Sequence, residues 1–223
     1  QRTHSIDRIT PHCVVGQLSC ESICGCFTSP SRQASCNYGI GKDGRISLCV
    51  EEKNRSWCSS SNANDQRAVT IECASDMSEP YAMNSAVYNS LINLCVDICR
   101  RNGKKKLLWL ADKNKTLNYA PKSDEMVLTV HRWFANKSCP GNWLYSRLGD
   151  LAAKVTSELS KTTSGNGTAS TSQIYRVRKT WSDSKSQLSA YKLLANAKKK
   201  ADENAGYKVF DASGNIVYPT VAK

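Results

Sequence analysis

The sequence predicts an α/β fold, with a single mixed central β-sheet flanked by helices, followed by a small α+β C-terminal domain. Three observations carry this. Short runs rich in β-branched residues alternate with stretches of helical hydrophobic period. A Ser/Thr/Gly-rich stretch without a large apolar residue, 160–172 (SKTTSGNGTASTS), divides the chain. The remainder reads strand, helix, hairpin.

The elements follow in order. Arg8–Val15 reads as a strand entering the core. Asn37–Ile40 and Ile46–Val50 flank Gly41-Lys42-Asp43-Gly44, a hairpin with Asp-Gly at its tip. Ala68–Cys73 (AVTIEC) is a central strand. Asn84–Arg101 is a helix: Val87, Leu91, Leu94, Cys95 and Ile98 recur at helical spacing, and Asn102-Gly103 stops it. Leu107–Leu110 is a further strand, and Val127–Val130 another apolar run. Trp143–Leu159 is a second long helix, with Leu144, Leu148, Leu151, Val155 and Leu159 on one face. The predicted organisation is a domain at 1–159, a flexible linker at 160–172 and a small domain at 173–223. In the last, Gln173–Lys179 alternates as a strand, Ser189–Glu203 is a helix, and Tyr207–Phe210 pairs with Ile216–Tyr218.

The formal charge is +12, so a polyanionic partner is expected. Residues 1–159 hold 20 basic and 15 acidic side chains, against 10 and 4 in 173–223, which is the denser in positive charge. Nucleic acid and an anionic bacterial wall explain this equally well. The runs Lys104–Lys106 and Lys198–Lys200 lack the interleaved aromatics of a single-strand binder and read as solvated faces. No run of apolar residues is long enough to span a membrane. The opening QRTHSIDRIT has neither an initiator Met nor an apolar leader, which decides nothing about export.

Eleven cysteines is a high, odd number. Cys73, Cys95 and Cys99 sit at apolar positions of predicted elements, where free thiols act as small hydrophobes. A mostly reduced chain made in a reducing compartment is expected. Cys24-Gly25-Cys26 and Cys95/Cys99 lack a second pair at zinc-ribbon spacing, so no metal or redox role is expected of them.

Three histidines limit the chemistry. His4 lies in the polar lead-in. His12 lies in the strand-like Ile9–Val15, and His131 ends an apolar run, with Cys139 eight residues on. Two imidazoles and a thiolate leave one tetrahedral position open, the pattern of a catalytic zinc. No HExxH-type motif anchors the set. Spacing alone therefore leaves open two partly buried strand histidines and an unrelated thiol.

The stretch His131-Arg132-Trp133-Phe134-Ala135-Asn136-Lys137-Ser138-Cys139-Pro140-Gly141 resembles the C-terminal metal motif of zinc-dependent N-acetylmuramoyl-L-alanine amidases, the family of phage endolysins and peptidoglycan-recognition proteins. His12 sits where that family's first ligand sits, Ser35–Ile40 is similar to its strand bearing a Tyr, and Val69–Cys73 to its strand with a catalytic Glu. The resemblance covers residues 4–159. It implies Zn2+ on His12, His131 and Cys139, Glu72 as general base, Lys137 at the oxyanion, and Tyr38 on the same oxygen or orienting the water. The substrate it implies is peptidoglycan, cut between N-acetylmuramic acid and L-alanine. Together with the reduced-looking cysteines, it favours synthesis in the cytoplasm and action on the cell wall after release or secretion. Cys13, next to the first ligand, and Cys20, Cys26, Cys36 and Cys49 depart from the family pattern and bring in competing ligation or disulfides.

Trp57, in polar surroundings, is the tryptophan expected to line a substrate groove. Trp109, Trp133 and Trp143 suit the core. The 173–223 segment resembles SPOR-like wall-binding modules, whose tethering would raise local concentration on an insoluble substrate. Two other functions compete. One is a non-catalytic peptidoglycan-binding protein of the same fold, which the presence of Cys139 disfavours. The other is a basic nucleic-acid binder, which explains the charge but not the ligand set.

Overall fold

Strand β1 (Arg8–Cys13) is the axis on which the first part of the chain is built. All six of its residues are buried, because it runs parallel between β4 (Ala68–Cys73) and β6 (Glu125–Leu128). Two more strands extend the sheet on the β4 side, β2 (Tyr38–Ile40) and β3 (Ile46–Leu48), and β5 (Lys106–Leu108) closes the other edge. The order is β3-β2-β4-β1-β6-β5, with only the β2/β3 hairpin antiparallel. This is the mixed sheet that the alternating pattern predicts. The computed structural model describes residues 1–161, 174–191 and 194–218, and the chain divides into two units, 1–165 and 166–223.

Side chains alternate across a strand, so each strand of the sheet has two characters. Ile9, Val69, Ile71, Cys73, Met126 and Leu128 belong to the apolar core. They pack with the buried stripe of α3 (Ser85–Arg101), including Leu91, Cys95 and Ile98, and with Leu151 and Val155 of α6 (Leu148–Ser160). Each such fully buried aliphatic side chain contributes about 1.5–3 kcal/mol. Helix α3 starts at Asn84, whose side chain accepts from Val87 N–H at 3.0 Å. It stops at Gly103 (φ +68°), after which Lys104 N–H donates back to Cys99 O at 2.8 Å. Gly44 (φ +80°) turns the β2/β3 hairpin against α3, and a Cβ there would meet Ala86 O at 2.9 Å.

The other character of the strands is polar. Thr10, Thr70 and Thr129 are fully buried, and the segment 56–65 carries the groups that satisfy them. Thr10 and Thr129 hydroxyls lie 2.7 Å apart. Asn64, in the short helix α2 (Asn62–Asp65), donates to Thr10 Oγ1 at 3.0 Å and accepts from Thr129 at 3.0 Å. Ser56 meets Thr70 at 2.7 Å. Asp65 accepts from the N–H groups of Cys58 and Ser59 and from the Ser59 hydroxyl.

Several local expectations are corrected. Helices α1 (Cys20–Gly25), α2 and α4 (Lys113–Asn118) arise where no helix was expected, in segments too short to show a hydrophobic period. Their side-chain caps, Ser19, Ser61 and Asp112, are the local signals that form them. The long C-terminal helix is two: α5 (Gly141–Tyr145) and α6, with Arg147 non-helical between them. One pair of cysteines departs from the expected mostly reduced chain. Cys24 is bonded to Cys49, with Cα atoms 5.3 Å apart, because α1 packs on β2 and β3. Cys36 Sγ is 3.4 Å from Cys49 Sγ, and the nine other cysteines are free thiols.

The second unit holds a four-stranded antiparallel sheet, β10-β9-β7-β8. Its strands are β7 (Tyr175–Arg178), β8 (Ser189–Tyr191), β9 (Lys208–Phe210) and β10 (Ile216–Tyr218). Val177, Val209 and Ala197 and Ala201 of α7 (Leu194–Asp202) form its core. Ser189–Tyr191, expected as a helix start, is a strand paired with β7. Residues 162–172 of the expected linker lie outside the described residues.

Asn64→Ala would strand the hydroxyls that Asn64 serves in a fully buried layer. Its unfolding free energy in urea is expected to fall by about 2–3 kcal/mol. The exposed Asn93→Ala on α3 should change it by less than about 0.5 kcal/mol.

Candidate metal centre

The registers that pair the threonines pair the next same-side residues as well. Thr10 is opposite Thr70, and His12 opposite Glu72. On the other flank Arg8 pairs with Val127 and Ile9 with Leu128, which brings Thr129 alongside Thr10 and His131 alongside His12. Two rows therefore cross the carboxyl ends of β4, β1 and β6, threonine below and Glu72, His12, His131 above. The chain then makes a 3-10 turn at His131–Trp133, and the loop to α5 returns Cys139 to the row. His12 Nδ1 is 3.3 Å from Cys139 Sγ and 3.9 Å from Glu72 Oε1.

The donor set fits zinc. One ligand atom from each of His12, His131 and Cys139 lies within 4.8 Å of the others. Bond lengths of about 2.0–2.1 Å to nitrogen and 2.3 Å to sulfur in a tetrahedron separate N and S by ~3.5 Å. The 3.3 Å between His12 Nδ1 and Cys139 Sγ is close to that value. Burial holds the His12 imidazole down to about 3, helped by the neighbouring His131, so it stays neutral and can ligate. His131 is lowered too, by burial and then by the Lys137 charge. The Cys139 thiol is raised by its hydrogen bond with Cys13, by burial and by the Glu72 charge, and a bound cation would pull it down.

Glu72 is the carboxylate of the row. Burial raises it to about 7, against the Cys58 hydrogen bond and the Arg32 charge, which pull it down. Among the described residues, its Oε2 and His12 Nε2 are buried without a hydrogen-bond partner. Two residues that sequence reasoning passed over touch this row. Cys58 donates to Glu72 Oε1 at 3.6 Å, and with His12 and Glu72 it makes a second set of ligand atoms within 4.8 Å. Ser60 Oγ meets His131 Nε2 at 3.0 Å, the kind of partner that fixes a ligating imidazole. Both belong to the loop that Asp65 pins.

A cavity of about 660 Å³ opens over the row, lined among others by His12, Glu72, His131, Cys139, Lys137, Arg32 and Trp57. Lys137 is exposed there, and Trp57 is 54% exposed with Arg55 over its ring at 4.9 Å. Cys13 also lines the cavity, outside both sets of ligand atoms. Tyr38 does not share the site. It pairs with Ile71, so it faces the side of the sheet opposite Glu72, and its hydroxyl donates to Glu52 at 2.8 Å. The expectation of Tyr38 beside the metal is corrected by that alternation. Trp109 and Trp133 stack 5.2 Å apart, and Trp143 packs on Tyr88, all within or against the core.

Residues 2–142 match the family model described as N-acetylmuramoyl-L-alanine amidase. Among solved structures, the chain is similar to the N-acetylmuramoyl-L-alanine amidase LysC from Clostridium intestinale URNW, with 18% identity, 64% of this chain and 82% of that one covered, and a TM-score of 0.45. It is also similar to the Staphylococcus aureus hydrolase AmiA in complex with its ligand (13% identity, 72% and 77% covered, TM-score 0.46). A third is the Ph2119 endolysin from Thermus scotoductus MAT2119 bacteriophage Ph2119 (13% identity, 68% and 87% covered, TM-score 0.41). No curated protein sequence matches.

The raised Glu72 carboxyl sets a pH dependence for the metal-free protein. Between its ordinary 4.5 and about 7 the folded chain holds a proton that the unfolded chain releases. The associated stability is complete below the first value and is lost as pH rises to the second. Urea unfolding in the presence of a chelator should show wild type losing stability relative to Glu72→Gln across that window. A pH-independent difference would mean that Glu72 does not titrate there.

Proposed function

Because the chain belongs to the N-acetylmuramoyl-L-alanine amidase family, we propose that it hydrolyses the amide between the lactyl carbonyl of N-acetylmuramic acid and the L-alanine of the peptidoglycan stem. The observation that carries this is the convergence of two neutral imidazoles, a thiol and a protonatable carboxyl under one open cavity. Amide hydrolysis needs an activated water, a stabilised oxyanion and a proton for the leaving amine.

His12, His131 and Cys139 would hold zinc. When bound, zinc supplies Lewis acidity, acidifying water and polarising the scissile carbonyl. Glu72 is proposed as the proton carrier. Its carboxylate takes a proton from the attacking water and delivers it to the departing L-alanine nitrogen. Its place in the row beside His12 suits both halves of that task, and Cys58 holds the Oε1 atom that faces His12. Lys137, two residues from Cys139 and on the cavity wall, is proposed to place its ammonium at the developing oxyanion. Trp57 offers an exposed ring for packing against sugar or stem.

The second unit is proposed as a SPOR-like wall-binding module with no part in the chemistry, separated from a catalytic domain at 1–159 by a linker. Its basic residues outnumber its acidic ones, and it has no His or Cys. We further propose that the protein is made in the cytoplasm and reaches the wall after release or secretion, as an endolysin does. No described helix is long and apolar enough to cross a membrane.

Two variants separate holding the metal from moving the proton. Cys139→Ser should lose zinc and hydrolysis together, by metal analysis after gel filtration and by release of L-alanine amino termini. Glu72→Gln should keep zinc and lose about 10²–10⁴-fold in rate. A zinc-free wild type that still lyses walls would overturn the metal reading.

Residues 1–159 alone should hydrolyse a small soluble muropeptide at nearly the full rate. The same fragment should co-sediment with purified walls less than the full chain at low salt, with the gap narrowing as salt is added. Equal co-sedimentation would remove the wall-binding role from 173–223.

A further inference from the structure

Arginine side chains in the first unit are almost all occupied. Arg2 donates to Glu52 O and Asp65 O, Arg8 to Asn64, Arg45 to Asp43 and Glu21, and Arg55 to Asn62. Arg67 pairs with Asp7, Arg100 donates to Glu158 O, and Arg101 pairs with Glu52 and Asp97. Arg132 donates to Ser138 O and Arg147 to Trp143 O. Arg32 is the exception. Among the described residues its guanidinium has no hydrogen bond and no ion pair; it lies over the Phe27 ring, 5.5 Å from the centroid. It ends the 3-10 turn Pro30–Arg32, is exposed, and lines the same cavity as His12, Glu72 and Lys137.

We infer that Arg32 is a specificity-determining residue, reading a carboxylate on the stem peptide next to the scissile bond. The inference rests on the amidase reading and adds the chemistry the site selects for. A guanidinium has five donors in a planar fork, which matches a carboxylate in two parallel bonds. Phe27 supports the face of that fork and leaves its edge open. In a peptidoglycan stem the residue after L-alanine is an isoglutamyl unit joined through its side-chain carboxyl. Its α-carboxyl is therefore free, or in amidated walls a neutral carboxamide. Two residues of extended chain reach about 7 Å, which puts that group within reach of the cavity wall that Arg32 shares with the metal row. Lys137 cannot take both tasks, since its ammonium serves the oxyanion in the proposed reaction. Arg32 also favours the charged form of Glu72, so its positive charge is felt at the row itself.

The test uses the full chain, loaded with zinc, and two soluble substrates, N-acetylmuramoyl-L-alanyl-D-isoglutamate and its D-isoglutamine counterpart, followed by release of the alanine amino terminus. Wild type should show a KM about ten-fold lower for the acid at similar kcat, the worth of one charge-assisted hydrogen bond. Arg32→Gln should erase that preference by raising KM for the acid alone, and Arg32→Lys should restore part of it. Zinc content equal to wild type in both variants shows that the row is intact. Equal KM values in wild type, or a preference that survives in Arg32→Gln, would overturn the inference and leave the amidase reading standing. Hydrolysis of neither substrate would overturn the amidase reading, and this inference with it.

Discussion

The register of three parallel strands is the constraint on which the site depends. With β1 seated between β4 and β6, Glu72, His12 and His131 share one side of the sheet, and Thr70, Thr10 and Thr129 form the row beneath. A slip of one residue would turn His12 into the apolar core and bring Pro11 or Cys13 to the metal side. The apolar alternation under α3 and α6 fixes the register from one side, and the buried hydroxyls fix it from the other. The apolar packing supplies most of the burial energy. The hydroxyl layer supplies selectivity, because a shifted strand would leave Thr10, Thr129 and Asn64 without partners.

Burial then sets the charge state of the row. Removing His12 from water keeps it neutral, and the same burial keeps a proton on Glu72 up to about 7. The candidate ligand is thus kept neutral by the same desolvation that raises its neighbour. The loop 56–65 governs how well this works. Asp65 holds the backbone of Cys58 and Ser59, and the adjoining side chains of Cys58 and Ser60 reach Glu72 and His131. One carboxylate accordingly bears on Glu72 and His131 through the loop it pins.

Much of this was legible in the sequence because strands declare themselves by alternation. His12, Glu72, His131 and Cys139 were named as candidates, and the structure brings them together. The sequence holds a stronger signal. Thr10-Pro11-His12, Thr70-Ile71-Glu72 and Thr129-Val130-His131 repeat one pattern, a threonine two residues before each functional side chain. Three strands with that spacing announce a shared polar face. Tyr38 was misassigned for want of register, since its strand was identified but not its pairing with Ile71. Cys58 and Ser60 were invisible because they act from a loop whose path is set by Asp65 and not by any period. The Cys24–Cys49 bond joins positions 25 residues apart through a helix too short to leave a pattern.

That bond has a consequence for how the protein can change. Its Cys24 end fixes the departure of the segment that wanders over the cavity through Phe27, Arg32 and Ala34. The segment's return is fixed by buried Cys36 and by Asn37, whose side chain is tied to Thr70. Between two clamped ends, residues 26–35 form a cassette. Exchange of its sequence is therefore expected to leave the register of β1, β4 and β6 unchanged. If Arg32 reads the stem as proposed, substrate choice and bond cleavage rest on separate segments of the chain, and an engineer could retarget the first without rebuilding the second.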